Sequence, residues 1–301
     1  MKHIIKAAEM REFALKMRRA RGKQPKTIGF VPTMGALHEG HMSLIEAAKR
    51  ENNRVIVSIF VNPAQFAANE DLNEYPRNLK ADIKKLKQAK AVTCLFTPGE
   101  AEMYPEGYAS YVRVENEMTK VLCGASRPEH FKGVTTIVAK LLNIINPDRM
   151  YLGQKDLQQA VILKKMAKEL NYQAEVKICP TVRGKDGLAL SSRNGYLTPE
   201  QRNSAPALYK ALKVAESMVE LGERDAQSVI KEIRRKLKEE NVEAEYVEAV
   251  DPGTMLKKEK ISGKTAILAA VFVGKTRLID NTIIDMDEWN AVKKENKEDA
   301  L

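Results

Sequence analysis

The sequence has no hydrophobic segment long enough for a membrane and very few cysteines. Its longest apolar run, Ala266 to Val273, is far too short to span a bilayer. Residues Met1 to Lys6 lack the apolar stretch of a signal peptide. Cys94, Cys123 and Cys179 are odd in number and widely scattered, so they show neither zinc-site spacing nor a secreted disulfide framework. We therefore expect a cytoplasmic protein with unpaired thiols.

Aromatic residues are also scarce, at 6% of the chain, and few of them lie near the basic runs. The 301 residues carry 50 basic and 40 acidic side chains, which leaves a net charge of +10. A positive charge suits acidic ligands such as nucleotides and is also compatible with nucleic acid. The sparse aromatics and the lack of a recognised binding module argue against a nucleic-acid-binding protein. The length predicts two domains.

The most informative stretch is Pro32 to His41, PTMGALHEGH, which holds two glycines and two histidines. It follows an apolar run, Thr27 to Val31, that predicts a buried strand, and it precedes Met42 to Asn52, whose apolar spacing predicts a helix. A strand, a glycine-containing turn and a helix N-terminus together favour phosphate binding. His38 and His41 are three residues apart, so both imidazoles would project from one side of a first helical turn. The alternative is that one histidine caps the helix and the other is solvated.

Two amides follow the next predicted strand, Arg54 to Val61. A right-handed crossover would place the two parallel strands side by side with their carboxyl ends at one edge, where open α/β sheets bind ligands. Asn62 and Gln65 lie at that edge, and a buried amide offers both donors and an acceptor to a small substrate. For Asn62, which precedes Pro63, ordinary turn chemistry is the alternative. The polar segment 67–77 is a candidate cover over this edge.

Charged and hydroxyl side chains follow two later segments. Arg149 to Leu152 predicts a strand that leads into Lys155 and Asp156. The lysine offers a point charge to phosphate, and the carboxylate can accept from a ribose hydroxyl or help to hold a hydrated Mg²⁺. The alternative is a surface ion pair. In Leu190 to Asn194, the two serine hydroxyls and the guanidinium of Arg193 can bind a polyphosphate. The alternative is an ordinary loop, because the tripeptide Ser-Ser-Arg by itself most often belongs to one.

Five stretches of the sequence together resemble the pantothenate synthetase family, also called pantoate–β-alanine ligase. They occur in the family's order and with its spacing over about residues 20–200. The stretches are Pro32 to His41, Phe60 to Phe66, Arg127 to Val134, Tyr151 to Gln159 and Leu190 to Asn194. Gln154 stands where Glu is more common in the family, and Leu190 stands where Met is also common. Both changes leave the charged and hydroxyl positions intact.

The resemblance implies a fold and a reaction. The fold is α/β, a Rossmann-like parallel sheet with helices on both faces, similar to class I aminoacyl-tRNA synthetases with an HxGH-type turn, plus a smaller α+β C-terminal lid domain. We expect an ATP- and pantoate-binding domain at 1–182 and the lid at 183–301. The implied reaction condenses (R)-pantoate with β-alanine at the expense of ATP, through a pantoyl adenylate, to give pantothenate, AMP and diphosphate. It also implies a requirement for Mg²⁺ and a homodimer.

The resemblance further implies roles for individual residues in nucleotide binding. His38 and His41 meet the ATP phosphates, and His41 is the residue usually described as the proton donor. From the charge of their side chains, Lys155 and Arg193 are further catalytic candidates that would neutralise charge on the triphosphate. The implied ATP site consists of Met34, Gly35, Ala36, Leu37, His38, Glu39, Gly40, His41, Gly153, Gln154, Lys155, Asp156, Val182, Leu190, Ser191, Ser192 and Arg193. The motifs do not identify protein ligands of Mg²⁺.

Two amides form the implied substrate site, and a third is a candidate from its place at the edge of the sheet. Gln65 contacts pantoate and β-alanine, Gln159 contacts pantoate, and Asn62 is a further candidate. A related nucleotidyltransferase would use the same histidine-containing turn to join AMP to a phosphate ester. Gln65 and Gln159 suit a small hydroxy acid better than a phosphate ester.

The chemistry of the substrates is consistent with two steps. A carboxylate with a pKa near 4 is already ionised at neutral pH, so its attack on phosphorus needs no general base. The first step therefore depends on alignment and on charge neutralisation. In the second step the amine of β-alanine must lose a proton, and no side chain is an obvious base. A reactive mixed anhydride also needs shelter from water, which a cover at 67–77 and a lid would provide.

Overall fold

The computed structural model of the chain describes residues 1–19, 26–67 and 70–288. The chain divides into two compact units. The first unit comprises Met1–Lys120, Gly124–Val182 and Leu190–Ser192, and the second comprises Val121–Cys123, Arg183–Ala189 and Arg193–Leu301. Within the described ranges, no helix is long and apolar enough to cross a membrane.

The first unit is built on a six-stranded sheet in which every pairing is parallel. Its strands are β1 (Lys2–Ile4), β2 (Ile28–Thr33), β3 (Arg54–Ile59), β4 (Cys94–Phe96), β5 (Arg149–Gly153) and β6 (Glu175–Cys179). The helices along this part of the chain are α1 (Ala7–Arg19), α2 (Glu39–Glu51), α3 (Leu79–Ala89), α4 (Glu100–Met103), α5 (Cys123–Ser126), α6 (His130–Ile145) and α7 (Leu157–Glu169). The Rossmann-like parallel sheet with flanking helices confirms the predicted fold class.

The strand order determines where the sheet can bind a ligand. The order is β1-β4-β3-β2-β5-β6, so the chain proceeds outward from β2 on one side and then crosses to β5 on the other. Ligands of open α/β sheets bind outside the carboxyl ends of the strands where the order reverses. The loops that leave β2 and β5 therefore meet at the topological switch point.

Short apolar runs explain the central strands. Every residue of β2 except Pro32 is buried, and Val55 to Ser58 of β3 are buried as well, which is typical of parallel strands covered on both faces. The sequence predicts a strand over Ala91 to Phe96, but only Cys94 to Phe96 form one. Pairing with β1 and β3 begins at Cys94. The apolar spacing of residues 7–21 predicts an amphipathic helix. Helix α1 ends at Arg19, and residues 20 and 21 of that prediction lie outside the described residues.

The second unit is α+β. Its helices are α8 (Pro199–Ser204), α9 (Ala207–Glu220) and α10 (Ala226–Glu239), and its strands are β7 (Glu243–Val250), β8 (Lys264–Val273) and β9 (Thr276–Asp285). The strands form an antiparallel sheet in the order β7-β8-β9. Thr198 accepts from the backbone N–H of Gln201, whose side chain in turn accepts from the Thr198 N–H. This capping box is the helix start that the sequence predicts.

Candidate active site

The predicted phosphate-binding turn connects β2 to α2 at the switch point. Gly35 and Ala36 have positive φ angles, 86° and 49°, a conformation that costs glycine little and alanine more. The carboxylate of Asp82 stabilises this turn, because it accepts from the backbone N–H of Ala36 at 3.0 Å and from that of Leu37 at 2.8 Å. The chain can therefore reverse tightly and begin α2 at the carboxyl edge of the sheet.

His38 and His41 both take part in capping α2. The Nδ1 atom of His38 accepts from the backbone N–H of Gly40 at 3.2 Å, and Nδ1 of His41 accepts from the N–H of His38 at 3.4 Å. A neutral imidazole has one acceptor nitrogen and one N–H donor. Since Nδ1 accepts in both rings, Nε2 carries the proton in both. The capping alternative and the phosphate-binding hypothesis are thus compatible, because capping leaves each Nε2–H as the donor.

The surroundings keep the two imidazoles uncharged at neutral pH. Burial lowers the pKa of His38 to about 4, and the cations of Lys155 and Lys85 add to this effect. Burial also lowers the pKa of His41 to about 3, with His38 as the next cause. A polyanion placed here would therefore meet two neutral donors beside lysine charges.

Lys155 and Asp156 lie in the 3-10 turn Gln154–Asp156, directly after β5. The Lys155 ammonium is half-buried, and its Nζ is 3.4 Å from Oδ1 of Asp156. The same lysine lowers the pKa of both histidines, and Asp156 raises it. The charges of Lys155 and Asp156, in the loop Gly153 to Asp156 after β5, therefore act on both histidines.

The loop after β3 adds two amides to this edge of the sheet. Asn62 is almost fully buried, at 1% exposure, and its Nδ2 donates to Oε1 of Gln65 at 3.1 Å. The Nε2 atom of Gln65 lies 3.1 Å from the sulfur of Met34, in the phosphate-binding turn. The candidate substrate amides are therefore next to the candidate nucleotide turn, although their contact with substrates remains a prediction.

Of the later candidates, Ser192 contacts the turn, whereas Leu190 and Val182 bond to each other. The backbone N–H of Leu190 donates to the carbonyl of Val182 at 3.0 Å, and Oγ of Ser192 donates to the carbonyl of Ala36 at 3.3 Å. Ser191 is half-buried between them. Arg193 belongs to the second unit, and its place at the phosphates remains a prediction.

Gln159 lies half-buried in the first turn of α7. Its neighbour Gln158 is buried and donates to the carbonyl of Met118 at 2.8 Å, which fixes the start of the helix. The contact of Gln159 with pantoate remains a prediction.

Two residues of α3 belong to the site but were not predicted from the sequence. Asp82 holds the turn as described, and Nζ of Lys85 donates to the carbonyl of Leu37 at 2.6 Å. The two residues are three apart on one helix and therefore share a face. In the sequence this spacing is indistinguishable from a solvated charged face, because the turn they contact lies more than forty residues away.

Together, these features define a Rossmann-like α/β protein with a candidate polyanion-binding site at its switch point. A turn stabilised by a buried carboxylate presents two neutral imidazoles, and lysines from two other segments surround them. Substrate-sized polar groups, the amides of Asn62 and Gln65, adjoin that turn.

Comparison with known proteins places this architecture in a family. Residues 2–283 match the family model described as pantoate-beta-alanine ligase. A pantothenate synthetase of Moorella thermoacetica is 51% identical over 267 residues, which covers 87% of this chain and 92% of that protein. A pantothenate synthetase of Thermotoga petrophila is 50% identical over 285 residues, which covers 94% of this chain and 100% of that protein.

Solved structures agree with the sequence relatives. The crystal structure of pantothenate synthetase from Thermus thermophilus superposes with a TM-score of 0.87 at 41% identity, covering 94% of this chain and 99% of that one. A pantoate-beta-alanine ligase from Francisella tularensis, complexed with beta-gamma ATP and beta-alanine, gives a TM-score of 0.78 at 37% identity, covering 94% and 97%. The chain belongs to the pantoate–β-alanine ligase family. Membership decides against the nucleotidyltransferase alternative.

Proposed function

We propose that the chain condenses (R)-pantoate with β-alanine through a pantoyl adenylate, consuming ATP and releasing AMP and diphosphate. As a member of its family the chain is an enzyme, a ligase that joins pantoate to β-alanine. The use of ATP is supported by the Francisella tularensis relative, which is described with beta-gamma ATP and beta-alanine. The observation that carries the proposed route is the pair of neutral imidazoles beside Lys155 at the switch point.

In the first step a carboxylate oxygen of pantoate attacks the α-phosphorus of ATP. The bond from that phosphorus to the bridging oxygen breaks, and diphosphate leaves with the electron pair. His38 and His41 donate through Nε2–H to phosphate oxygens, and Lys155 supplies positive charge; Arg193 is the further candidate. Donors that are already oriented lower the barrier because they need no rearrangement as charge moves.

In the second step the deprotonated amine of β-alanine attacks the acyl carbon of the adenylate. A carbon–nitrogen bond forms, the bond to the phosphate oxygen breaks, the nitrogen releases one proton, and AMP leaves. We assign Gln65 to both acids, Gln159 to pantoate and Asn62 to the same substrate region. Since Gln65 is joined to the nucleotide turn through Met34, it can hold the acyl group beside the α-phosphate.

Mg²⁺ fits this site as an ion shared with the nucleotide. Among the residues that the structure describes, no group of three His, Cys, Asp or Glu side chains is arranged to hold a metal. Mg²⁺ is usually bound by one or two carboxylates, water and substrate phosphates rather than by a protein cage. The carboxylate of Asp156, beside Lys155, is the residue that would hold it together with ATP. When bound, the ion supplies charge neutralisation at the phosphates.

The remaining assignments concern the organisation of the enzyme. We assign ATP and pantoate binding to residues 1–182 and a lid function to residues 183–301. The polar segment 67–77 is assigned as a second cover; its residues 68 and 69 lie outside the described residues. A homodimer is proposed from the family resemblance, and a cytoplasmic location stays the expectation from the sequence.

Pyrophosphate–ATP exchange tests the proposed route. With Mg²⁺, ATP and pantoate, but without β-alanine, the enzyme should incorporate labelled diphosphate into ATP, because adenylate formation is reversible. β-Alanine supplied in place of pantoate should give no exchange. Absence of pantoate-dependent exchange in folded protein that still makes pantothenate would exclude a free adenylate step.

A further inference from the structure

A chain of hydrogen bonds connects a tyrosine to the amide of Gln65. The hydroxyl of Tyr104 lies 2.7 Å from Oδ1 of Asn62. The Nδ2 atom of Asn62 lies 3.1 Å from Oε1 of Gln65 and 3.1 Å from the carbonyl oxygen of Gly133 in α6. Asn62 is buried, so neither of its polar atoms can exchange these partners for water.

The carbonyl of Gly133 sets the direction of every bond in this chain. A carbonyl oxygen only accepts, so the atom of Asn62 that faces it must be the NH₂ group. The second proton of that group then goes to Oε1 of Gln65. The opposite atom of Asn62 is an oxygen, so the hydroxyl of Tyr104 must donate to it. The chain therefore runs in one direction, from Tyr104 through Asn62 to Gln65.

The backbone approach that allows this anchor requires glycine at position 133. A β-carbon there would come within 2.1 Å of the carbonyl oxygen of Ala64, far inside van der Waals contact. The first turn of α6 can thus pack directly against the loop that holds Asn62 and Gln65. Burial also raises the pKa of Tyr104, so its phenol keeps the proton that it donates.

The backbone of Gln65 is held separately. Nδ1 of His130 lies 2.8 Å from the Gln65 carbonyl, and Nη2 of Arg127 lies 3.2 Å from the same oxygen. Arg127 is itself held by both carboxylate oxygens of Glu70, each at 2.5 Å. Backbone and side chain of Gln65 are therefore fixed from opposite ends, which leaves its NH₂ group with one orientation.

We propose that Tyr104 is a positioning residue for the acid substrate. Through Asn62 it holds the side-chain oxygen of Gln65 towards Asn62, so that the NH₂ group of Gln65 faces the carboxylate of pantoate. The proposal rests on the proposed function, which assigns Gln65 to pantoate. It implies that Gln65 acts towards the substrate as a donor only. A carboxylate or a hydroxyl oxygen fits such a group, and a neutral carboxamide that presents its own N–H does not.

The variant Tyr104→Phe tests this chain of hydrogen bonds, because it removes the hydroxyl and preserves the aromatic ring. That ring lies 6.2 Å from Phe60 and 5.1 Å from Tyr108, and Nζ of Lys140 is over both tyrosines. Tyr108→Phe is the matched control, since it removes a hydroxyl from the same aromatic group without removing the donor to Asn62. Loss of one hydrogen bond should raise the KM for pantoate about three- to ten-fold and lower the unfolding temperature, because Oδ1 of the buried Asn62 loses its donor; the KM for ATP should stay unchanged. Tyr108→Phe should leave all three unchanged.

A second variant tests the direction of the chain. Asn62→Asp replaces the NH₂ group by an acceptor. The side-chain amide of Gln65 should then reverse, so that its NH₂ group donates to Asp and its Oε1 faces the substrate. The preference for pantoate over its carboxamide analogue, measured as the inhibition constant of the analogue divided by the KM for pantoate, should then fall at least about ten-fold. Thermal unfolding shows whether this variant folds; if it does not, Tyr104→Phe alone decides.

The outcomes distinguish failure of the proposed function from failure of the positioning role of Tyr104. Wild-type enzyme without pantoate-dependent exchange would remove the proposed route, whatever the variants do. Active wild-type enzyme with an unchanged pantoate KM in Tyr104→Phe would overturn the positioning role alone. An equal rise in the KM for ATP and for pantoate would also overturn it, because that pattern indicates a general structural effect.

Discussion

The imidazole rings of His38 and His41 have their centroids 4.1 Å apart and are tilted by 40° to each other. Each ring uses Nδ1 to accept a backbone N–H at the start of α2. Helix capping therefore fixes both rings and their tautomers before any ligand arrives. A site with donors oriented in this way is suited to stabilising charge that moves during phosphoryl transfer.

Substitutions that preserve the cap can separate its structural role from catalysis. Asparagine is a good N-cap residue, and glutamine at the third helical position completes a capping box. His38→Asn and His41→Gln should thus keep α2 intact while each removes one Nε2–H donor. We expect pyrophosphate–ATP exchange to fall about 100- to 1,000-fold in each variant, with little change in thermal unfolding. His3→Asn, at an exposed position of β1, is the control; exchange that survives in both site variants would refute the role of the imidazoles.

Asp82 should support nucleotide binding without touching the nucleotide. Its carboxylate accepts two backbone N–H groups in the turn at Ala36 and Leu37, and a hydrogen bond to a charged group contributes about 1.5–3 kcal/mol. Asp82→Asn keeps the shape but can accept only one of the two. We expect a lower free energy of unfolding and a raised KM for ATP, measured by denaturant unfolding and steady-state kinetics. Glu46→Gln, an exposed acid on α2, is the control, and an unchanged KM for ATP in Asp82→Asn would contradict this role.

His130 should make the folded state sensitive to acid. Burial, followed by the charge of Arg127, lowers its pKa to about 4 in the folded chain, against about 6.5 when unfolded. Between these values the unfolded state binds a proton that the folded state does not, so stability falls as the pH drops from 6.5 towards 4. His130→Gln removes the titrating group, and the loss of unfolding free energy between pH 7.5 and pH 5 should become smaller. An unchanged loss in His130→Gln would rule out this contribution.

The sequence predicted those parts of the fold that are encoded locally. The apolar runs of β2 and β3 and the spacing in α2 are short-range patterns, and each gave an element at the expected place. The adjacency of His38 and His41 likewise follows from a spacing of three residues. The ends of elements were less predictable, because β4 is limited by where its neighbours pair.

Contacts between distant segments could not be read from the chain. Asp82 and Lys85 look like part of a solvated helix until α3 is packed against the turn at Leu37. The direction of the amide chain from Tyr104 depends on the carbonyl of Gly133, 71 residues from Asn62. A backbone carbonyl leaves no signal in side-chain patterns, so only a three-dimensional structure shows its effect.

Oxygen transfer tests the central claim, that the carboxylate of pantoate attacks the α-phosphorus at the histidine turn. Pantoate labelled with ¹⁸O in both carboxylate oxygens is converted with ATP and β-alanine, and the products are separated by mass spectrometry. An adenylate route predicts one ¹⁸O atom in AMP and none in diphosphate, because the oxygen that joins the acyl carbon to phosphorus leaves with AMP. Unlabelled AMP, or ¹⁸O in diphosphate or inorganic phosphate, would contradict the account.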